Sequence, residues 1–432
     1  MPADRARLAG GARAVVVVRN GFRYDARVLR VARTLRELGY RPLVVAAVTA
    51  ADQPPAGVTD AIPVLRIRPA APLAWADRRL RPAPPGAATA RAAAGPEGGE
   101  RSARGRPRSL ALRAFRAVRT LDYYARASRV VLRERPVLVH CNDFNTMWIG
   151  VVAKLFAGSR VVYDAHELWP DRNGRWESRC WLLAAEWLFV RAADEVVTVS
   201  PAIAERMARR YRIRAPTVVR NVPAASPATP ARTDDRLVVY VGALLANRGL
   251  EQAIDAIALV PGVRLCFIGH GSACRIRALR ERADGAGLGG RFEIAAPVPP
   301  DDVVGAIAGA AVGLSLFQPT CVSHELTLPN KIFEYVAAGV PVLSSDVAAS
   351  AGFVREHGIG EVVAAGDPRD IARGLRLLLA PARIAELRPR LERAARRLTW
   401  EHERSALVGA YARCASRFGC RRPGRSPGAG AR

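Results

Sequence analysis

With 432 residues, half of them apolar, the chain is long enough for two or three globular domains that each bury a core. Its formal net charge of +27 admits anionic partners, but no aromatic residues interleave with the arginine-rich stretches as they do in nucleic-acid readers, so no specific nucleic acid is expected. No apolar run approaches the ~20 residues that span a bilayer, no leader-like start is found, and seven scattered cysteines lack C-x-x-C spacing; secretion, a disulfide framework and structural zinc are set aside in favour of a cytoplasmic protein.

Short β-branched runs alternate with helical patterns along the chain, which predicts parallel sheets with crossover helices. Strands are expected at 14–18, 42–47, 64–67, 137–140, 160–164 and 195–200. Between the first two, Asp25 is a plausible N-cap and Gly39 a stop for a helix over 25–38, giving a βαβ opening. Residues 82–109 are Pro, Gly, Ala and Arg with almost no large apolar side chain and read as a disordered insert, as does the tail 421–432. The stretches 110–133 and 181–191 mix arginine with bulky apolar residues, which suits either a core-facing helix or peripheral contact with an anionic membrane at the inner face of the cytoplasmic membrane. A Pro-, Ala- and Ser-rich stretch at 222–233 then interrupts the pattern, and strands restart at 237–241, 263–268, 291–294, 312–316 and 341–344. The prediction is two doubly wound, Rossmann-like domains at 1–222 and 235–395, with a closing helix at 396–418.

In such sheets ligands gather beyond the carboxyl ends of the strands. The loops there are polar or glycine-rich: Asn20-Gly21, Asn142-Asp143, His166-Glu167, Gly242 through Gly249, and Gly269-His270-Gly271. One further segment, from Pro329-Asn330-Lys331-Ile332-Phe333-Glu334-Tyr335 to Gly339 and Pro341, places a cation and a carboxylate on one face of a short helix whose start suits an anion. Lysine is rare in this chain, the only other being Lys154. A compact ammonium at 331 is a natural partner for a phosphate oxygen.

These pieces in this order, with Asp25-Ala26-Arg27-Val28, Val161-Val162-Tyr163-Asp164-Ala165-His166-Glu167, Asp194 to Ser200, Arg220-Asn221 and Asn247-Arg248-Gly249, resemble the family 4 glycosyltransferases of the GT-B fold. The resemblance spans nearly the whole chain apart from the insert and the tail. It implies an α/β protein with two parallel-sheet domains facing across a cleft, acceptor side first and nucleotide-sugar side second, with a last helix around Trp400 to Tyr411 crossing back to the first domain. The implied activity is retaining transfer of a hexosyl unit from a UDP- or GDP-sugar to a lipid-linked, polysaccharide or other glycan acceptor, without metal or other cofactor. No Asp-x-Asp is present in the chain.

Carried over position by position, the resemblance implies that Arg248 and Lys331 hold the diphosphate, aided by backbone N–H groups at Gly242 and at the helix start near Asn330 and Lys331, that Gly269 also belongs to the donor site, and that Glu334 accepts from the ribose hydroxyls. His166 would contact the donor sugar without acting as a nucleophile. Asn20, Gly21, Asn142 and Asp143 would face the acceptor, although turn chemistry explains them equally well. The chain departs from the family pattern in two places. The glutamate expected eight residues before Glu334 is replaced by Leu326, leaving Glu325 one residue out of register, and Ala243 stands where an arginine is frequent. A nucleotide-sugar epimerase on the same architecture, or a noncatalytic basic protein for anionic membrane or nucleic acid, are alternatives that the sequence leaves open.

Overall fold

A computed structural model describes residues 11–22, 25–48, 53–74, 105–173, 177–225 and 234–416. In the first half, β1 (Arg13–Val17), β2 (Arg41–Ala47), β3 (Ala56–Thr59), β4 (Ile62–Ile67), β5 (Leu138–Asn142), β6 (Arg160–Ala165), β7 (Glu195–Thr198) and β8 (Thr217–Val218) form one sheet. Its order is β3-β4-β2-β1-β5-β6-β7-β8. All pairs are parallel except β3 on β4. β1 and β5 are buried along nearly their whole length, as continuous apolar strands covered on both faces should be.

The second half repeats the plan with β9 (Leu237–Val241), β10 (Arg264–Ile268), β11 (Phe292–Ala295), β12 (Val312–Ser315), β13 (Val342–Ser345) and β14 (Gly360–Val363), all parallel, in the order β11-β10-β9-β12-β13-β14. The order reverses between β1 and β5 in the first sheet and between β9 and β12 in the second. Loops leaving those four strands therefore open at the two crevices where such sheets bind ligands.

Local signals explain the helix boundaries. Asp25 accepts a hydrogen bond from the Val28 N–H to open the helix Ala26–Glu37, and Gly39 takes the left-handed conformation just beyond its end. Ser200 caps the helix Pro201–Tyr211, with proline at its first position. The helix Gly105–Glu134 corrects one expectation: residues 105–109, read as the end of the disordered insert, belong to its first turns. Pro107 is no obstacle there, because an N–H in the first turn has no helical partner to lose. The rest of the insert, the tail 421–432 and linker residues 226–233 lie outside the described residues.

The helices Gly105–Glu134, Met147–Ala157 and Arg179–Ala192 pack on one face of the first sheet, around Tyr123, Val131, Ile149, Leu182 and Phe189. The other face is covered by Ala26–Glu37 and by the last helix, Trp400–Ser416. That last helix is tied to the first half by charge as well as by packing: Arg220 donates to Glu403 at 2.7 Å from its backbone and 2.8 Å from Nε, and Arg413 reaches Glu195 at 3.0 Å. Among the described residues, no helix is long and apolar enough to cross a membrane.

Candidate active site

The two crevices face each other across a cavity of about 830 Å³, lined from the first half by Asn20, Gly21, Asp25, Arg27 and His166, and from the second by Gly242, Arg248, Gly269, Asn330, Lys331 and Glu334. Nine of the twelve site candidates, all of these but Asp25 and Arg27, thus share one space. Asn142, Asp143 and Glu325 do not line it.

The glycines permit the approach. Gly242 has φ 126, a conformation closed to most side chains, and its N–H donates to the Ile268 carbonyl at 3.0 Å. A Cβ on Gly269 would lie 1.9 Å from the Gly242 carbonyl oxygen. The loops after β9 and β10 are in backbone contact, leaving their inner surface bare for a ligand.

Two cations occupy the floor. The Lys331 ammonium lies 3.5 Å from the centre of the Tyr240 ring, and the Arg248 guanidinium lies 3.8 Å from the centre of the Phe317 ring. Ring faces stabilise cations but do not neutralise them. Among the described residues neither makes an ion pair. Burial pushes the Lys331 ammonium well below the ordinary lysine range, and the nearby Arg248 charge lowers it further against a weaker pull from Glu334. Glu334 shows the converse, its carboxyl raised by burial against the opposing charges of Lys331 and of Arg30 in the first half. An anion placed between Lys331 and Arg248 would relieve both.

His166 is set at the end of β6 between two carboxylates. Its Nδ1 lies 3.4 Å from Asp143 Oδ2 and its Nε2 lies 3.4 Å from Asp164 Oδ2, while its backbone N–H donates to Asp143 Oδ1 at 3.2 Å. Burial works against the charged ring, but Asp143 and then Asp164 outweigh it and push the imidazole up to about 10. The two carboxylates thus favour the protonated ring.

Asp164 is itself fully buried and fixed by Arg27, whose Nε and Nη2 each donate at 2.7 Å, and by His140 at 3.1 Å. Burial would raise this carboxyl, yet Arg27, His166 and His140 hold it well below the usual range. The His140 ring continues to the Tyr411 hydroxyl of the last helix at 3.0 Å. Arg27 also donates to the Val219 carbonyl at 2.7 Å, so the first helix and β5 meet directly at the β6 carboxylate, and the last helix and the Val219 segment join through them.

The acceptor-side candidates divide. Asn20 accepts from the Phe22 N–H at 2.9 Å and donates to Asp25 at 2.7 Å, which is turn chemistry at the cavity edge. Gly21 offers its carbonyl to Gln53 at 3.3 Å and Arg66 at 3.1 Å. Asn142 is buried and donates to the Val17 carbonyl at 3.0 Å, joining β5 to β1. Asp143 faces His166 rather than the cavity. Glu325 is exposed on the short helix Val322–Leu326, whose neighbour His324 is hydrogen-bonded to Thr320 at 3.1 Å.

Sequence reasoning assigned no role to Tyr240, Phe317 or His140, and Asp164 and Arg27 stood only within matching segments. The alternation of β6 carried a usable signal: Asp164 and His166 are two apart on a strand end and must share a face. Among the described residues, no group of three or more His, Cys, Asp or Glu is placed to hold a metal ion.

The chain is similar to several known proteins. Residues 88–222 match the model "Glycosyltransferase Family 4" and residues 235–381 match "Glycosyl transferases group 1". The chain is 31% identical over 258 residues to the lipopolysaccharide core biosynthesis glycosyltransferase LpsE of Rhizobium meliloti (strain 1021), covering 57% of this chain and 72% of that relative. Among solved structures, it superposes on sucrose-phosphate synthase from Thermosynechococcus elongatus with a TM-score of 0.69 at 15% identity, covering 94% of this chain and 99% of that one. It superposes on Anabaena Alr3699/HepE, solved in complex with UDP and glucose, with a TM-score of 0.67 at 15% identity, covering 93% and 99%.

Proposed function

The chain belongs to the GT-B glycosyltransferases of the family 4 type, and on that premise we propose that it moves a hexosyl unit from a UDP- or GDP-sugar to a lipid-linked or polysaccharide acceptor, with retention and without metal, at an anionic membrane surface. The observation that carries the donor reading is the pair of cations, Lys331 and Arg248, held over aromatic rings with no ion pair among the described residues and facing the same cavity. A diphosphate supplies the missing negative charge, and the charge that grows on it as the sugar departs is stabilised by groups already in place. Glu334, beside them on the helix Asn330–Ala337, receives the ribose hydroxyls. The Anabaena relative bound to UDP and glucose, and the lipopolysaccharide-core relative, support a nucleotide-sugar donor and a glycan acceptor.

In this reading the anomeric C–O bond breaks and its electron pair leaves with the diphosphate. The acceptor oxygen attacks the same face and its proton passes to a leaving-group oxygen. His166 supports that route. A ring held cationic between Asp143 and Asp164 is neither a base nor a nucleophile at neutral pH, but its N–H groups and charge suit a sugar oxygen near the departing phosphate. Domains 1–222 and 235–395 then carry acceptor and donor respectively, and their closure excludes water.

Titration calorimetry with UDP-, GDP- and ADP-sugars tests the donor site, with one of the first two expected to bind. Binding of none overturns it. The anomeric configuration of the product, read by NMR, tests retention separately.

A further inference from the structure

The sequence marks 181–191 as amphipathic, which suits a helix with its apolar side on the core, but the helix Arg179–Ala192 is apolar on both sides. Leu182 and Phe189 fill the core, while Trp181, Trp187 and Leu188 face outward, Trp187 with 50% of its surface exposed. The only acid of this helix, Glu186, is fully buried and takes hydrogen bonds from the Tyr163 and Tyr211 hydroxyls. Its outer face thus carries no acid of its own, with Arg179 and Arg191 exposed at its ends, Arg179 paired to Asp171 at 2.7 Å and Arg191 donating to the Trp187 and Tyr211 carbonyls.

The neighbouring helices extend this surface. Met147–Ala157 contains no acidic residue and exposes Leu155 and Phe156, the latter by 76%. Its Trp148 stacks on Trp181 with ring centres 6.2 Å apart, so the two helices are side by side. On Gly105–Glu134, Arg116, Arg126, Arg129 and Arg133 are exposed together with Val118 and Leu121. Its acids Asp122 and Glu134 are paired to Arg126 at 2.8 Å and Arg13 at 2.6 Å. All three helices lie in one layer on one face of the first sheet.

We infer that this three-helix layer is the surface by which the chain docks on an anionic lipid bilayer, with Trp181, Trp187, Leu188, Leu155 and Phe156 entering the interface and the arginines meeting the headgroups. The inference rests on the membrane-surface reading above and names the surface that serves it. Tryptophan and arginine together are the side chains that settle at the water–lipid boundary, and each basic residue near an anionic leaflet adds to the attraction. A second copy of the chain fits this face worse, because a twofold contact brings arginines against arginines. Position also favours a lipid. Trp181 contacts Phe144 with ring centres 6.2 Å apart, and Phe144 follows Asp143, which holds His166. A lipid-linked acceptor anchored beside Trp181 enters the chain at the cleft.

The test is co-sedimentation of the full chain with phosphatidylcholine vesicles, with and without about one-third phosphatidylglycerol, at low salt and at ~1 M salt, where charge is screened within about 3 Å. The wild type is expected to bind anionic vesicles and to keep part of that binding at high salt. The double substitution Trp187→Ser with Leu188→Ser should weaken partitioning about tenfold or more, because two bulky apolar groups no longer leave water. Its nucleotide affinity, read by calorimetry, stays unchanged and shows that the protein is folded. Equal partitioning of wild type and variant overturns the assignment of this face while leaving membrane contact standing, since arginine-rich segments would then bind alone. Absence of binding by the wild type overturns both, as does self-association in its place, and neither result touches the donor site.

Discussion

Lys331 keeps only 8% of its surface in contact with solvent, yet among the described residues no carboxylate forms an ion pair with it. Such a charge is retained at a cost to the free protein, since burial favours the neutral amine. Lys331→Ala removes that cost and should leave folding intact, but on the proposed reading it also removes a fixed charge from the departing diphosphate. Turnover should fall about 10²- to 10³-fold, the usual loss for one preorganised stabilising group, while the unfolding midpoint holds or rises. Glu334→Ala should likewise remove turnover without unfolding the protein. Steady-state kinetics paired with thermal melts checks both, and full transfer activity in either variant sinks the site. The depressed Lys331 ammonium has a pH signature of definite sign. In the proposed donor site the protonated amine is the form that binds a diphosphate, so donor affinity should fall as pH rises, beginning below the ordinary lysine range. Bound diphosphate raises the group again, so binding takes up protons wherever Lys331 is partly neutral. Calorimetry in buffers of different ionisation enthalpy reads that uptake, and the uptake should be absent from Lys331→Ala.

Among elements, β6 holds the arrangement together, because its Asp164 joins the first helix through Arg27, β5 through His140, and by way of His140 the last helix through Tyr411. Asp164→Asn leaves the Arg27 guanidinium buried without its counter-charge. Breaking a buried pair from one side costs about 3–5 kcal/mol, so the denaturation midpoint should drop sharply, and His166 should lose one of the two carboxylates that keep it cationic. A change within experimental error would mean that Arg27 finds another partner. The sequence exposes most of this frame but not its wiring. Parallel strands such as 160–164 and 237–241 announce themselves by continuous apolar runs, because both their faces are covered. The short edge strands β3, β8 and β14 do not, since two to four residues on a sheet rim carry little burial pattern. Lys331, Glu334 and His166 are legible because an unusual residue type stands where a strand or helix ends. Tyr240 and Phe317 are not, because an aromatic beside a strand end reads first as core, and only the folded geometry places its ring under a cation. Glu325 illustrates the opposite limit: a shift of one residue, harmless in a list of motifs, turns a side chain on a short helix out of the cavity.

At the scale of the whole molecule, the cavity exists only because the two halves are held face to face, joined by an apolar cluster that runs through both and through the last helix. Among the described residues, direct polar ties between them are few: Arg33 to Asp301 at 3.2 Å, Asn173 to Thr320 at 2.6 Å and Ser200 to the Leu326 carbonyl at 2.7 Å. The last helix is the firmer link, since it follows the second half in sequence and docks on the first through Glu403, Tyr411 and Arg413. A hinge of this kind leaves the cleft free to close on a ligand that bridges it. Nucleotide bound to the closed form stabilises the native state by mass action, by about 2.7 kcal/mol at a hundredfold excess over its Kd. The unfolding temperature should therefore rise with saturating nucleoside diphosphate, and Lys331→Ala should lose most of the rise. On the proposed reading the charge that favours binding comes from Lys331 and Arg248, both belonging to the chain itself. The same rise is accordingly expected in excess EDTA. A shift that disappears with EDTA and returns with magnesium would instead assign the diphosphate's neutralisation to a metal ion and overturn the metal-free reading, while leaving the fold and the family unaffected.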